Sequence, residues 1–115
     1  MRTASEVLPP AAASRLGDYK RAVEHALPGL RTMILFGSRA RGQAREDSDY
    51  DVAVVLRDIA DRRQVRHVLS GLAYDHILEG FFIRPIPLEP EYLEPRGGRL
   101  TELAEEIIRD GVEVT

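Results

Sequence analysis

Gly37-Ser38 and Asp49-Tyr50-Asp51 are the residues of this chain whose types and spacing can do chemistry. Side chains alternate across an extended strand, so Asp49 and Asp51 share one face and Tyr50 takes the other. Two carboxylates so placed repel each other and raise each other's pKa unless a positive charge lies between them. Hard divalent cations supply that charge, and magnesium is commonly held by one or two carboxylates together with substrate phosphates. Gly37-Ser38 ends the apolar run Ile34-Leu35-Phe36 and opens the polar segment "RARG". A strand that turns sharply into a first helical turn leaves backbone N–H groups free to bind phosphate. Gly37 lets the backbone approach a ligand closely, and the Ser38 hydroxyl can donate to a phosphate oxygen. A metal edge beside a phosphate cradle is suited to phosphoryl or nucleotidyl transfer, in which positioning and charge neutralisation do most of the work.

Those residues need strands and turns to hold them, and the hydrophobic pattern supplies both. Leu30 to Phe36 is almost continuously apolar, as expected of a strand covered on both faces, and Asp51 to Leu56 is a second such run. Ahead of them, Leu16, Tyr19, Val23, Ala26 and Leu27 recur at helical spacing, with Ser14 as the expected N-cap and Pro28-Gly29 as the stop. Residues 1–13 are Ala- and Pro-rich and read as a loose lead-in, which leaves 14–115 as a single domain. After Asp61, the stripe Val65, Val68, Leu69, Leu72, Ala73 and Ile77 predicts a helix with a core face. "FFIRPIPL" reads as a third strand, placed at an edge because Pro85 and Pro87 lack amide donors. Leu100, Leu103, Ala104 and Ile107 mark a last helix, stopped at Asp110-Gly111 before a short apolar tail. The expected fold class is α/β (α+β), a small mixed sheet of three to four strands packed by helices.

Composition narrows the function classes. The 115 residues suffice for one core, 43% are hydrophobic and 30% charged, and the formal net charge is −3. That balance predicts a soluble domain with no broad nucleic-acid surface. No apolar run approaches the ~20 residues of a membrane helix, and the first 14 residues lack the apolar stretch of a signal peptide, so no membrane association and a cytoplasmic location are expected. The absence of cysteine removes disulfides, thiolate metal sites and a cysteine nucleophile. Lys20 is the only lysine and lies outside any GxxxxGK[ST] context, which excludes a Walker A loop. His25, His67 and His76 have no metal-ligand spacing. Arg39, Arg41 and Arg45 fall within one loop; Arg39 and Arg41 are candidates for neutralising phosphate charge, whereas each is also readable as a solvated loop residue. Tyr74, Phe81 and Phe82 suit a core or partner surface better than a base-stacking platform.

Gly37-Ser38, ten intervening residues, then Asp49-Tyr50-Asp51, flanked by apolar strands and by Ala40-Arg41-Gly42 and Ser48, resembles the GS…DxD signature of the polymerase-β-like nucleotidyltransferase superfamily. The chain is most similar to its small stand-alone members, the minimal nucleotidyltransferase (MNT) proteins. The resemblance implies a polymerase-β-like core, with Gly37 and Ser38 on the triphosphate and Asp49 and Asp51 on magnesium. It implies transfer of a nucleoside monophosphate, by analogy AMP from ATP, to an acceptor hydroxyl. It further implies a helical HEPN protein as partner, with an antitoxin role and a toxin tyrosine as acceptor; a homo-oligomer is left open.

Members of the superfamily usually carry a third carboxylate on a later strand. Here that strand, "FFIRPIP", has Arg84 as its only charged residue. Asp75, Glu79, Glu89 or a partner's acid are the candidates to replace it. Two other readings therefore stay open: a docking module with impaired catalysis, and, ranked lower, a small-molecule (antibiotic) nucleotidyltransferase.

Overall fold

A computed structural model describes all 115 residues. Four strands form one sheet in the order β3-β2-β1-β4. The strands are β1 (Leu30–Phe36), β2 (Tyr50–Leu56), β3 (Ile83–Leu88) and β4 (Val112–Glu113). The helices are α1 (Ala4–Val7), α2 (Pro10–Ala26), α3 (Ser38–Arg41), α4 (Arg62–Leu78) and α5 (Glu102–Asp110), with a 3-10 turn at Pro90–Leu93. β1 pairs antiparallel with β2 and with β4, while β2 and β3 run parallel, joined by the α4 crossover. The expected mixed sheet of three to four strands therefore holds, and β3 is an edge strand as its prolines require.

Alternation along the two central strands builds a core on each face. Met33, Leu35, Tyr50, Val52, Val54 and Leu56 face a cluster completed by Leu16, Tyr19 and Val23 of α2 and by Leu69 and Ala73 of α4. Ile34, Phe36, Ala53 and Val55 face the opposite way, onto Ile107 of α5 and Leu88. Burying both faces is why these strands read as continuous apolar runs. Each fully buried Leu or Val contributes roughly 1.5–3 kcal/mol. Tyr19 keeps its hydroxyl satisfied in this core by donating to the Leu69 carbonyl at 2.9 Å.

Several boundaries differ from those expected. α2 begins at Pro10, four residues ahead of Ser14, because proline is preorganised for the first helical position. The segment expected as a loose lead-in carries α1, held by a capping box in which the Thr3 amide donates to Glu6 Oε1 at 3.1 Å. Ala4 is buried, and Thr3 bridges Glu113, so the N-terminal segment lies beside β4. The last helix starts at Glu102, with the Thr101 hydroxyl accepting from the Ala104 amide. On α4, Asp61 caps the N-terminus by accepting from the Gln64 amide at 3.1 Å. Leu69 and Ala73 are buried and Val65, Leu72 and Ile77 pack on them, but Val68 is only half-buried and joins neither core.

Candidate functional site

β1 and β2 deliver the two motifs to one end of the sheet, at its centre. Phe36 and Asp51 are Cα partners in the antiparallel ladder, so the turn at Gly37-Ser38 emerges directly beside Asp51. Gly37 has φ 77° and ψ −160°, a conformation essentially restricted to glycine. A Cβ on Gly37 would lie 2.8 Å from Oδ2 of Asp51, so the absence of a side chain there is what lets the carboxylate sit against the backbone. α3 follows at once. The Ala40 and Arg41 amides turn back to the Gly37 carbonyl at 3.1 Å. The amides of Ser38 and Arg39, at the start of the helix, have no intrahelical acceptor.

Asp51 points to the α5 face of the sheet and its side chain is 18% exposed. Its Oδ1 is buried and receives no hydrogen bond, although Arg84 Nε stands 2.8 Å away as an ion-pair partner with poor donor geometry. Burial raises the Asp51 carboxyl above the usual carboxylate range; Arg84 pulls it down, and the charges of Asp49 and Glu106 push it up. Asp49 is exposed, one residue before β2 begins. With Arg84 moved aside, the Asp51 carboxylate and the second carboxylate nearby fit a magnesium ion, which takes one or two carboxylates and fills its remaining positions with water and phosphate. No group of three or more His, Cys, Asp or Glu side chains converges anywhere in the chain, so the protein alone offers no larger metal cage.

The loop arginines are already engaged. Arg39 donates through Nε and an Nη to the Ser48 carbonyl at 3.2 and 2.9 Å, and to the Glu46 carbonyl at 3.1 Å. Its guanidinium lies 4.3 Å above the Tyr50 ring, which stacks on Phe81 at 4.1 Å. The Arg15 guanidinium also lies over the Phe81 ring, at 5.6 Å. Arg39 thus ties the 43–49 loop down immediately before Asp49. Arg41 reaches across to α5, pairing with Asp110 at 3.2 Å and Glu106 at 3.5 Å. Arg45 and Asp47 are exposed in the same loop.

None of the three acids expected to complete the site lies beside Asp51. Glu79 pairs with Arg15, Asp75 is exposed on α4, and Glu89 follows β3 at its far end, five residues beyond Arg84, roughly 16 Å along the strand. Sequence reasoning did not find Glu106, whose charge reaches Asp51 from α5; only the packing of α5 on β1 brings it there. Phe81 is a stacking partner of Tyr50, whereas Tyr74 and Phe82 remain exposed. The largest cavity, about 650 Å³, is not at these motifs: it opens between Arg62, the 3-10 turn and the Arg96–Arg99 hairpin, beyond the end of β3. No helix is long and apolar enough to cross a membrane.

With that geometry in place, comparisons place the chain among known proteins. The family model "Polymerase beta, Nucleotidyltransferase" matches residues 22–86, which hold both motifs and all of β1 and β2. A Methanocaldococcus jannaschii protein named as a protein adenylyltransferase is 44% identical over 66 residues, 56% of this chain and 45% of that protein. The chain therefore spans less than half the length of that relative. Among solved structures, a mutant of an MntA toxin–antitoxin complex matches with a TM-score of 0.62 at 18% identity, over 85% of this chain and 70% of the other. A nucleotidyltransferase structure from Sulfolobus solfataricus gives 0.61 at 19% identity, over 90% and 78%. A toxin–antitoxin structure with AMP-PNP gives 0.56 at 18% identity, over 86% and 72%. At these identities the structural likeness speaks for the fold.

Proposed function

The chain belongs to the polymerase-β nucleotidyltransferase family, and from that membership we propose that it transfers a nucleoside monophosphate, AMP from ATP, to an acceptor hydroxyl. The observation that carries this reading is the contact between the Gly37 turn and Oδ2 of Asp51, which sets a phosphate-binding backbone beside a carboxylate whose other oxygen has only the Arg84 ion pair. The Ser38 and Arg39 amides and the Ser38 hydroxyl would take triphosphate oxygens. Asp49 and Asp51 would hold magnesium, which supplies charge neutralisation of the triphosphate and of the departing pyrophosphate. Arg39 keeps Asp49 in place through Ser48 and Glu46. The acceptor oxygen bonds to the α-phosphorus while the bond to the bridging oxygen breaks, and pyrophosphate leaves. With no chain carboxylate at the Arg84 position, the acceptor proton passes to water or to a base of the acceptor protein.

The name of the adenylyltransferase relative supports a protein acceptor, and the toxin–antitoxin complexes among the structural neighbours support a toxin partner and an antitoxin role; the acceptor we propose is a tyrosine of a helical HEPN-type toxin. The neighbour with AMP-PNP supports an adenine nucleotide. One observation favours a second reading: an arginine, not an acid, faces Asp51 across β3, as in a docking module with impaired catalysis. Label transfer from α-phosphate-labelled ATP into a lysate of the source cells separates the two. The enzyme reading expects a labelled band with wild type that disappears with Asp49→Ala, Asp51→Ala. A partner captured equally by both proteins, with no band from either, overturns it in favour of docking.

A further inference from the structure

Arg84 stands where its charge decides what Asp51 can hold. The parallel register makes Asp51 and Arg84 Cα partners, so the two side chains leave the sheet side by side on one face. Arg84 Nε comes to 2.8 Å from Asp51 Oδ1, yet the Arg84 side chain is 61% exposed while that of Asp51 is 18% exposed. The guanidinium therefore reaches in from solvent and is not packed into place. Asp51 is its sole ionic partner. The other two candidate arginines lack that freedom, since Arg39 is fixed on the Ser48 and Glu46 carbonyls and Arg41 on Glu106 and Asp110.

We propose that Arg84 is an exchangeable counter-ion that makes the site select metal-bound nucleotide over free divalent cation. This deepens the nucleotide-transfer reading and rests on it. Without nucleotide, Arg84 neutralises Asp51. A bare divalent cation arriving there brings two positive charges to a carboxylate that already faces one, and must displace the guanidinium against that repulsion. A nucleoside triphosphate with its metal carries net negative charge. It attracts Arg84, whose planar donor fork then turns from the carboxylate to phosphate oxygens and leaves Asp51 to the incoming metal. The charged groups facing Asp51 fit that exchange: Asp49 and Glu106 supply negative charge, and Arg84 is the cation able to leave.

Two binding measurements on Arg84→Gln and Arg84→Lys test this without relying on turnover. Free Mn²⁺ followed by electron paramagnetic resonance gives the affinity for the bare cation. A fluorescent ATP analogue at saturating magnesium gives the affinity for the metal–nucleotide complex. R84Q is expected to bind Mn²⁺ alone about tenfold tighter and the magnesium–nucleotide complex about tenfold weaker. R84K, which keeps the charge but loses the fork, should stay near wild type for Mn²⁺ and fall between the two for nucleotide. A purely structural role would move neither constant in opposite directions. Both affinities unchanged in R84Q, or both shifted the same way, would overturn the proposal. Wild-type protein that binds neither probe would overturn the nucleotide-site reading itself, a separate result.

Discussion

Gly37 and Asp51 face each other so closely that a methyl group on Gly37 would stand 2.8 Å from Oδ2 of Asp51. The two motifs, separated in sequence by a polar loop, are therefore one structural unit: the turn that would cradle phosphate is also the wall against which the carboxylate rests. Gly37→Ala breaks that unit twice, by forcing alanine into a glycine-only conformation and by pushing the carboxylate aside. Strain of about 1–3 kcal/mol is expected, together with loss of transfer of at least about tenfold. Thermal melting and the label-transfer assay read the two effects.

Asp51 carries a cost that its removal should reveal. Its folded pKa is raised, with burial as the largest cause. A carboxyl raised in the folded state contributes stability below its unfolded pKa and loses it as pH rises through the folded value. At neutral pH the ionised Asp51 therefore weakens the fold. Asp51→Asn should melt higher than wild type at neutral pH, by on the order of 1 kcal/mol or about 4 °C. It should be inactive in transfer. The difference should shrink at acid pH, where wild-type Asp51 is protonated. Equal melting temperatures at neutral pH would contradict the burial argument.

Arg39 tests whether the loop before Asp49 is held from within. Arg39→Ala removes the donors to the Ser48 and Glu46 carbonyls and the cation over Tyr50. A loss of about 2 kcal/mol is expected, and transfer should drop because Asp49 is no longer positioned. Arg39→Lys should rescue it only in part, since an ammonium lacks the second donor to the Ser48 carbonyl and the planar face over Tyr50. Hydrogen exchange over residues 43–49 should rise in both variants; unchanged exchange would contradict the anchoring role.

Tyr19→Phe serves as a contrast remote from the site. It deletes the donor to the Leu69 carbonyl in the core between α2 and α4. The expected cost is about 1 kcal/mol, with transfer unaffected at temperatures where the variant is folded. Impaired transfer by folded Y19F would mean that α2–α4 packing reaches the site.

Much of this was legible in the chain. The apolar runs of β1 and β2 and the prolines of β3 wrote the sheet, and alternation put Asp51 on one face and Tyr50 on the other. The N-terminal turn stayed hidden in what reads as a loose lead-in, because the Ala- and Pro-rich composition of residues 1–13 outweighs the capping box at Thr3 and Glu6. What could not be read was register and reach. Nothing local in "FFIRPIP" says that Arg84 lands opposite Asp51 and not one pair along, because a parallel register is set by the length and seating of α4. Nor does "SRAR" reveal that Arg39 turns back to the loop while Arg41 crosses to α5, two neighbours on one short helix with different partners. Glu106 approaches Asp51 only because Ile107 is buried against β1.

The most direct test of the site is a crystal structure with magnesium and a non-hydrolysable ATP analogue. The metal is expected on carboxylate oxygens of both Asp49 and Asp51 at about 2.1 Å, with phosphate oxygens on the backbone at Gly37-Ser38 and Arg84 swung off Asp51. An analogue seated instead in the cavity by Arg62 and the Arg96–Arg99 hairpin, with Arg84 still on Asp51 and no metal on either aspartate, would contradict it.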